Sequence, residues 1–237
     1  KETLSISNTV LVQGMMALAG IGIVIGSIIS GKVSKNYIET GTIPLGALGI
    51  TVTLALLSVF KEPILHGINF FSFGFFAGLF IVPLNALVQF NAKENELGLV
   101  IAGNNFIQNV SMFSFLVLTV FFAYFGINSI GLFYLMLAVA FVGSLYVIRS
   151  IPQTMVIFLI SSLISRRVKI DVLGLNNFPQ NGGVLLLGNH VSWLDWALVQ
   201  MSLPRQVRFV MDREIYERWY LKILSLIHIS EPTRPLH

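Results

Sequence analysis

Apolar residues run along the first 150 positions in long blocks, and polar residues appear only where the blocks meet. Five blocks reach the length needed to cross about 30 Å of hydrocarbon, roughly 20 residues each. They predict membrane helices over Val10–Ser30, Ile43–Phe60, Ile64–Phe90, Leu97–Phe125 and Ser129–Ile148. The joints are short: "GKVSKNYIETG", "KEP", "NAKENE" and "GIN". Gly14, Gly20, Gly22 and Gly26 fall inside the first block, where small residues let helix backbones approach closely. Pro83 is expected to kink the third span, with neighbouring groups satisfying the backbone bond it removes.

After Ile148 the pattern changes. "IPQTMVIFLISSLISRRVKI" has an apolar core too short to span comfortably and ends in Arg166 and Arg167. It reads as an interfacial helix lying along the bilayer, or equally as a plain linker helix. From Val168, "VKIDVLGL" alternates like a strand, "NNFPQNGG" is loop chemistry, and "VLLLG" reads as a buried strand. "SWLDWALVQMSL" predicts a helix stopped by Pro204, "QVRFVM" a strand, and "DREIYERWYLKI" a second helix. Alternating strands and helices predict the start of an α/β domain. The expected architecture is therefore an α-helical polytopic membrane bundle followed by the beginning of an α/β domain. In the last helix Ile215, Trp219 and Ile223 share a face, with Tyr216 and Tyr220 beside them. That face suits either headgroup contact or core packing.

Composition sharpens this picture. The chain is 55% hydrophobic and 11% charged, against about a quarter charged in a soluble domain. Basic residues concentrate late: eight lie between Ser161 and Ile223 against five acids, while six stand against five before that. A basic segment beside a bilayer suits anionic lipid or phosphate-bearing substrates. Nucleic acid is disfavoured, because no basic run is interleaved with stacking aromatics. Lys32, Lys35, Lys93, Arg149, Arg166, Arg167 and Lys169 fall on one side of the predicted spans, and Lys1 and Lys61 on the other. The positive-inside rule then places everything after Ile148 in the cytoplasm. Without cysteine there is no disulfide, thiolate catalysis or Cys-type zinc site.

One polar stretch carries chemistry. In "LLLGNHVSWLD" His190 precedes Asp195 by five residues, the only closely spaced His–Asp pair in the chain. Five residues along one helix separates side chains by about 140°. The two can meet only if His190 lies on the turn leaving a strand and the helix starts near Ser192. Ser192-x-x-Asp195 fits a capping box, which supports that start. Asp195 could then orient the imidazole and leave its other nitrogen as a base. Alternatively Asp195 only caps a helix and His190 bonds backbone. No G-x-S-x-G elbow supports a serine triad, and too few histidines exist for a metal site.

"GNHVSWLDW" resembles the Asn-His-x-x-x-x-Asp block of the glycerolipid acyltransferases, the lysophosphatidate acyltransferase family. "VKIDVLGLNNFPQNGGVLLLGNH" resembles their approach to that block, and the likeness covers roughly Val168 to Ile223. It implies that His190 is the general base and Asp195 its orienting partner. A glycerol hydroxyl would attack the thioester of acyl-carrier protein or coenzyme A, as co-substrate and with no cofactor. The family's arginine-bearing phosphate motif and Phe-Pro-Glu-Gly block are expected beyond Ile223, so the chain alone is expected to be inactive.

The five spans resemble the last five helices of a major-facilitator transporter. "SGKVSKNYIETG" stands where that family has a Gly-x-x-x-Asp-basic-x-Gly loop, but Lys35 falls at the acid and Glu39 is the only carboxylate. Joined to the acyltransferase likeness, the whole resembles bacterial fusions of a lysophospholipid transporter with an acyltransferase and a following ligase domain. "VRFVMDREIYERWYL" and "NAKENELGLVIAGNNFIQNV" strengthen that resemblance. It implies membrane lipids, lysophospholipid and acyl-carrier protein as partners, and residence in a bacterial inner membrane. The corresponding division is a transporter half over residues 1–150, a linker helix over 151–167 and an acyltransferase part over 168–223.

In the fourth span Asn104 stands beside Asn105, Gln108 and Asn109, and the last three share a face. Such polar residues either line a lipid-headgroup path or bond neighbouring helices. His66 and Gln13 are further polar positions inside spans. "LSLIHISEPTR", from Leu224, resembles translated sequencing adaptor, so residues 224–237 are set aside and the chain is expected to be a fragment truncated at both ends.

Overall fold

The computed structural model describes residues 9–34, 38–60, 62–126, 129–164, 167–179, 182–189, 191–192, 195–203 and 207–210. It separates into two compact units, residues 1–151 and 152–237. In the first, each apolar block folds as a helix: α1 Thr9–Val33, α2 Thr42–Leu57, α3 Pro63–Phe90, α4 Leu97–Tyr124 and α5 Ser129–Ser150. Four of these five, all but α2, are long and apolar enough to cross a membrane. The expectation of five such spans is corrected at α2, whose 16 residues rise only about 24 Å. Its helix stops at Leu57, where the predicted span continued to Phe60. α2 nevertheless buries more residues than its longer neighbours, because α3 and α5 both pack on it.

Lipid tails are as apolar as leucine, so apolar side chains alone do not drive membrane helices together. Backbone approach does that between α1 and α3. A Cβ added at Gly22 would fall onto the carbonyl oxygen of Phe71, and one at Gly26 onto that of Phe75. In the reverse direction a Cβ at Gly74 would meet the Ala19 carbonyl, and one at Gly78 the backbone of Ile23 and Ser27. Two small-x-x-x-small pairs thus interlock, each helix presenting glycines to the other's carbonyls. At Gly14 and Gly20, equally glycine in the sequence, an added Cβ would meet nothing within 4 Å.

Hydrogen bonds add to the seams on α2. Asn69 on α3 donates its amide to the Thr53 carbonyl at 2.8 Å, and Thr51 donates its hydroxyl to Ala140 of α5 at 3.1 Å. α2 also starts on a tied turn. Gly41 N–H donates to the Glu39 carboxylate at 3.1 Å, while the Thr42 hydroxyl donates to the Glu39 carbonyl. α3 runs unbroken through Pro83, which is fully buried; the ring removes one intrahelical donor there. By contrast α4 has no buried residue and meets α3 along a short seam.

In the second unit α6 spans Pro152–Ile164 and packs on α7, Asp195–Ser202. Between them Gly174 turns left-handed at φ 77°, followed by a single 3-10 turn over Leu175–Asn177. Among the described residues no strand forms, contrary to the strands expected over 168–175, 184–188 and 206–211. The run 184–188, expected as a buried strand, is instead exposed throughout, Val184 and Leu186 at 39% and 45% and Leu185 and Leu187 at 81% and 87%. Alternation assigns side chains to faces, but a ladder also needs a second segment offering N–H and C=O groups alongside. None of the described segments does so. Arg166, Pro204 and the predicted helix after Met211 lie outside the described residues.

If the α1–α3 seam holds the first unit together, Gly26→Leu and Gly74→Leu should each destabilise it by at least the cost typical of overpacking, about 1–3 kcal/mol. Gly14→Leu and Gly20→Leu should change little. Thermal unfolding in detergent, followed by circular dichroism, separates the two pairs.

Candidate active site and a polar cleft

A carboxylate at the first turn of a helix sits where backbone N–H groups lack intrahelical acceptors. Asp195 opens α7 in that position. Its Oδ2 accepts two backbone N–H bonds, from Val191 at 2.7 Å and from Ser192 at 2.8 Å. The Ser192 carbonyl in turn accepts from the Asp195 N–H at 3.0 Å. The Ser192 N–H bond is the acid's half of the expected capping box, with the carboxylate reaching back to the cap residue.

Chemically, the turn fixes a negative charge against the peptide N–H that directly follows His190. Two charge-assisted bonds to backbone are stronger than two neutral ones, so the main chain holds the carboxylate in place. His190 lies outside the described residues. Further along, Gln200 of α7 accepts from the Val207 N–H at 2.9 Å, and Ala197 is buried. The Val207 bond ties α7 to the segment that follows it.

Residues 169–230 match the family model for acyltransferases. The acyltransferase segment contains His190, Asp195 and all of α7, and it continues past Ile223 into the residues set aside from Leu224. No curated protein and no solved structure matches the chain.

The first unit holds a second polar feature. Between α3 and α4 a cleft of about 140 Å³ is lined by five carboxamides, Asn85, Gln89, Asn104, Asn105 and Gln108. The sequence singled out Asn105, Gln108 and Asn109; the fold brings the first two to the cleft. Asn109 is not in its lining and donates instead to the Asn105 carbonyl on its own helix, at 2.9 Å. Asn104 donates to Asn85 at 3.4 Å. Asn85 and Gln89 escaped the sequence reading because they are spaced one turn apart among apolar residues near the end of α3. An i, i+4 pair of amides was the available signal. His66 is buried in the first turn of α3 with Nδ1 unpartnered, while Gln13 is exposed. No group of three or more metal-ligating side chains occurs among the described residues.

Asp195→Ala should loosen the turn by about 1 kcal/mol, the usual worth of a helix-start acceptor. Amide exchange at Val191 and Ser192 should then quicken about fivefold, with α4 unaffected; unchanged protection would mean the carboxylate does not hold the turn.

Proposed function

We propose that this chain is part of a phospholipid-remodelling protein in which the acyltransferase segment re-acylates lysophospholipid. His190 acts as general base and Asp195 as the group that orients it. The imidazole takes the proton of a free glycerol hydroxyl as that oxygen attacks the thioester carbonyl of acyl-carrier protein or coenzyme A. The tetrahedral intermediate expels the thiolate, which recovers the proton from the imidazolium, leaving a new ester and a free thiol. No acyl-enzyme is needed, which suits a chain without cysteine.

One observation carries this reading: within a segment that matches acyltransferases, the Asp195 carboxylate is bonded to the peptide N–H next to His190. A carboxylate placed there can hold an imidazole in one tautomer and stabilise the cation formed during proton transfer. A plain helix cap would explain the Ser192 bond alone and gives no reason for the match. In this proposal the five apolar helices belong to a major-facilitator half that presents lysophospholipid within the membrane plane. The second unit is the start of an α/β domain on the cytoplasmic side of a bacterial inner membrane. The competing reading keeps the transporter and makes the second unit non-catalytic.

His190→Ala in the full-length parent should reduce acyl transfer to lysophospholipid by about 10²–10⁴-fold, the range of a general base, while leaving lysolipid flux into vesicles intact. Asp195→Asn should also lower kcat, with KM little changed. Acyl transfer that survives both substitutions would eliminate the enzyme and favour the non-catalytic domain.

A further inference from the structure

We infer that the α3–α4 cleft binds the phosphodiester of a bilayer phospholipid and does so without regard to the lipid's net charge. The inference stands on the first unit alone and does not depend on acyl transfer.

Depth comes first. α3 and α4 have 28 residues each, about 42 Å of helix against about 30 Å of hydrocarbon. Centred in the bilayer, each overhangs by about 6 Å at either end. Asn85 lies five residues before the end of α3 and Asn104 seven residues after the start of α4, or roughly 8 and 10 Å inside. Gln89 is one residue from the end of α3. Asn85, Gln89 and Asn104 therefore lie at or close to the boundary between hydrocarbon and headgroups, where the glycerol-phosphate of a phospholipid resides, and Gln108, eleven residues into α4, reaches about 10 Å below it.

Chemistry comes second. Phosphoryl oxygens only accept hydrogen bonds, and each carboxamide offers two N–H donors on a neutral group. Apart from the Asn104–Asn85 contact, the side chains of these five amides make no hydrogen bond to other described residues. Their donors are thus uncommitted at a depth where an unsatisfied amide is disfavoured. Val88 and Ile101 complete the lining.

Charge and size define the ligand. No ionisable side chain lines the cleft; the nearest connection carries Lys93 and Glu96 as a pair at 3.9 Å, with Glu94 beside them on the water side. Binding should therefore be insensitive both to salt and to headgroup charge. A volume of about 140 Å³ resembles a cavity of about 150 Å³ that admits benzene. That is room for a phosphate and a carbon or two, not for a sugar headgroup.

The test is native mass spectrometry of the 237-residue chain released from nanodiscs holding equal phosphatidylglycerol and phosphatidylethanolamine. The chain should retain both lipids equally, changing less than twofold between low and high ammonium acetate. Gln108→Leu, which breaks no hydrogen bond in the structure, should lower retention at least fivefold, and Asn104→Leu likewise. Asn109→Leu, outside the lining, should leave it unchanged, and millimolar glycerophosphocholine should not displace the lipid. Four results would each overturn the proposal. They are unchanged retention in Gln108→Leu, an equal loss in Asn109→Leu, retention of the anionic lipid alone, and displacement by the free diester, which would make this a site for soluble phosphodiesters.

Discussion

Backbone contact between α1 and α3 is the constraint on which the membrane unit rests. In water, burial of leucine and phenylalanine would supply the force for folding. In lipid those side chains are equally solvated whether helices associate or not, and most of them remain on the outside here, Phe106, Val120 and Tyr146 among them. What distinguishes the associated state is carbonyl-to-Cα proximity at Gly22, Gly26, Gly74 and Gly78, where dispersion and weak Cα–H···O contacts accumulate. α2 then packs on a surface already fixed. Its short length becomes tolerable because its flanks are protein, and polar atoms of Thr51, Thr53 and Asn69 find partners inside the unit.

The second unit is stabilised by different means. Its apolar run over 184–188 stays exposed while α6 and α7 half-bury each other, and the order between them comes from turns: the left-handed Gly174, the 3-10 turn after it, and the carboxylate turn at α7. Of these only the last has a chemical use beyond shape. A carboxylate that accepts two main-chain N–H bonds is oriented by the backbone itself. Such preorganisation is what a base–carboxylate pair requires before substrate arrives. The same bonds that begin the helix therefore suit the proposed proton transfer.

Much of this was legible in the sequence, and the failures have physical causes. Helix existence followed from apolar block length, since a backbone in lipid has few ways to satisfy its polar groups. The capping box at Ser192 and Asp195 was legible because it is local, spanning four residues, and the acyltransferase segment because its motif is compact. What could not be read was phase. Gly14 and Gly22 are the same letter eight positions apart, yet only the second meets another helix, because that depends on how α3 crosses α1. Asn85 was silent for the same reason: its partner Asn104 is nineteen residues away on another helix. The strands failed differently: the apolar run 184–188 suggested a buried strand but is exposed, because burial and ladder partners are properties of pairs of segments.

Where polar groups sit in the first unit follows one gradient. α3 and α4 carry no Asp, Glu, Lys or Arg along 28 residues each, and the basic residues of α1 and α5 are Lys32 and Arg149, in their last turns. Full charges thus stay at the helix ends, neutral carboxamides reach up to about three turns further in, and hydroxyls that can bond their own helix, such as Ser111, go deeper still. The order matches the free energy of removing each group from water. A cleft at the middle level can therefore hold an anionic phosphoryl group only through neutral donors. A lysine there would bind it more strongly but would itself be expensive whenever the site emptied. Five amides from two helices meet both conditions, because they can be left empty at modest cost and still present several donors at once.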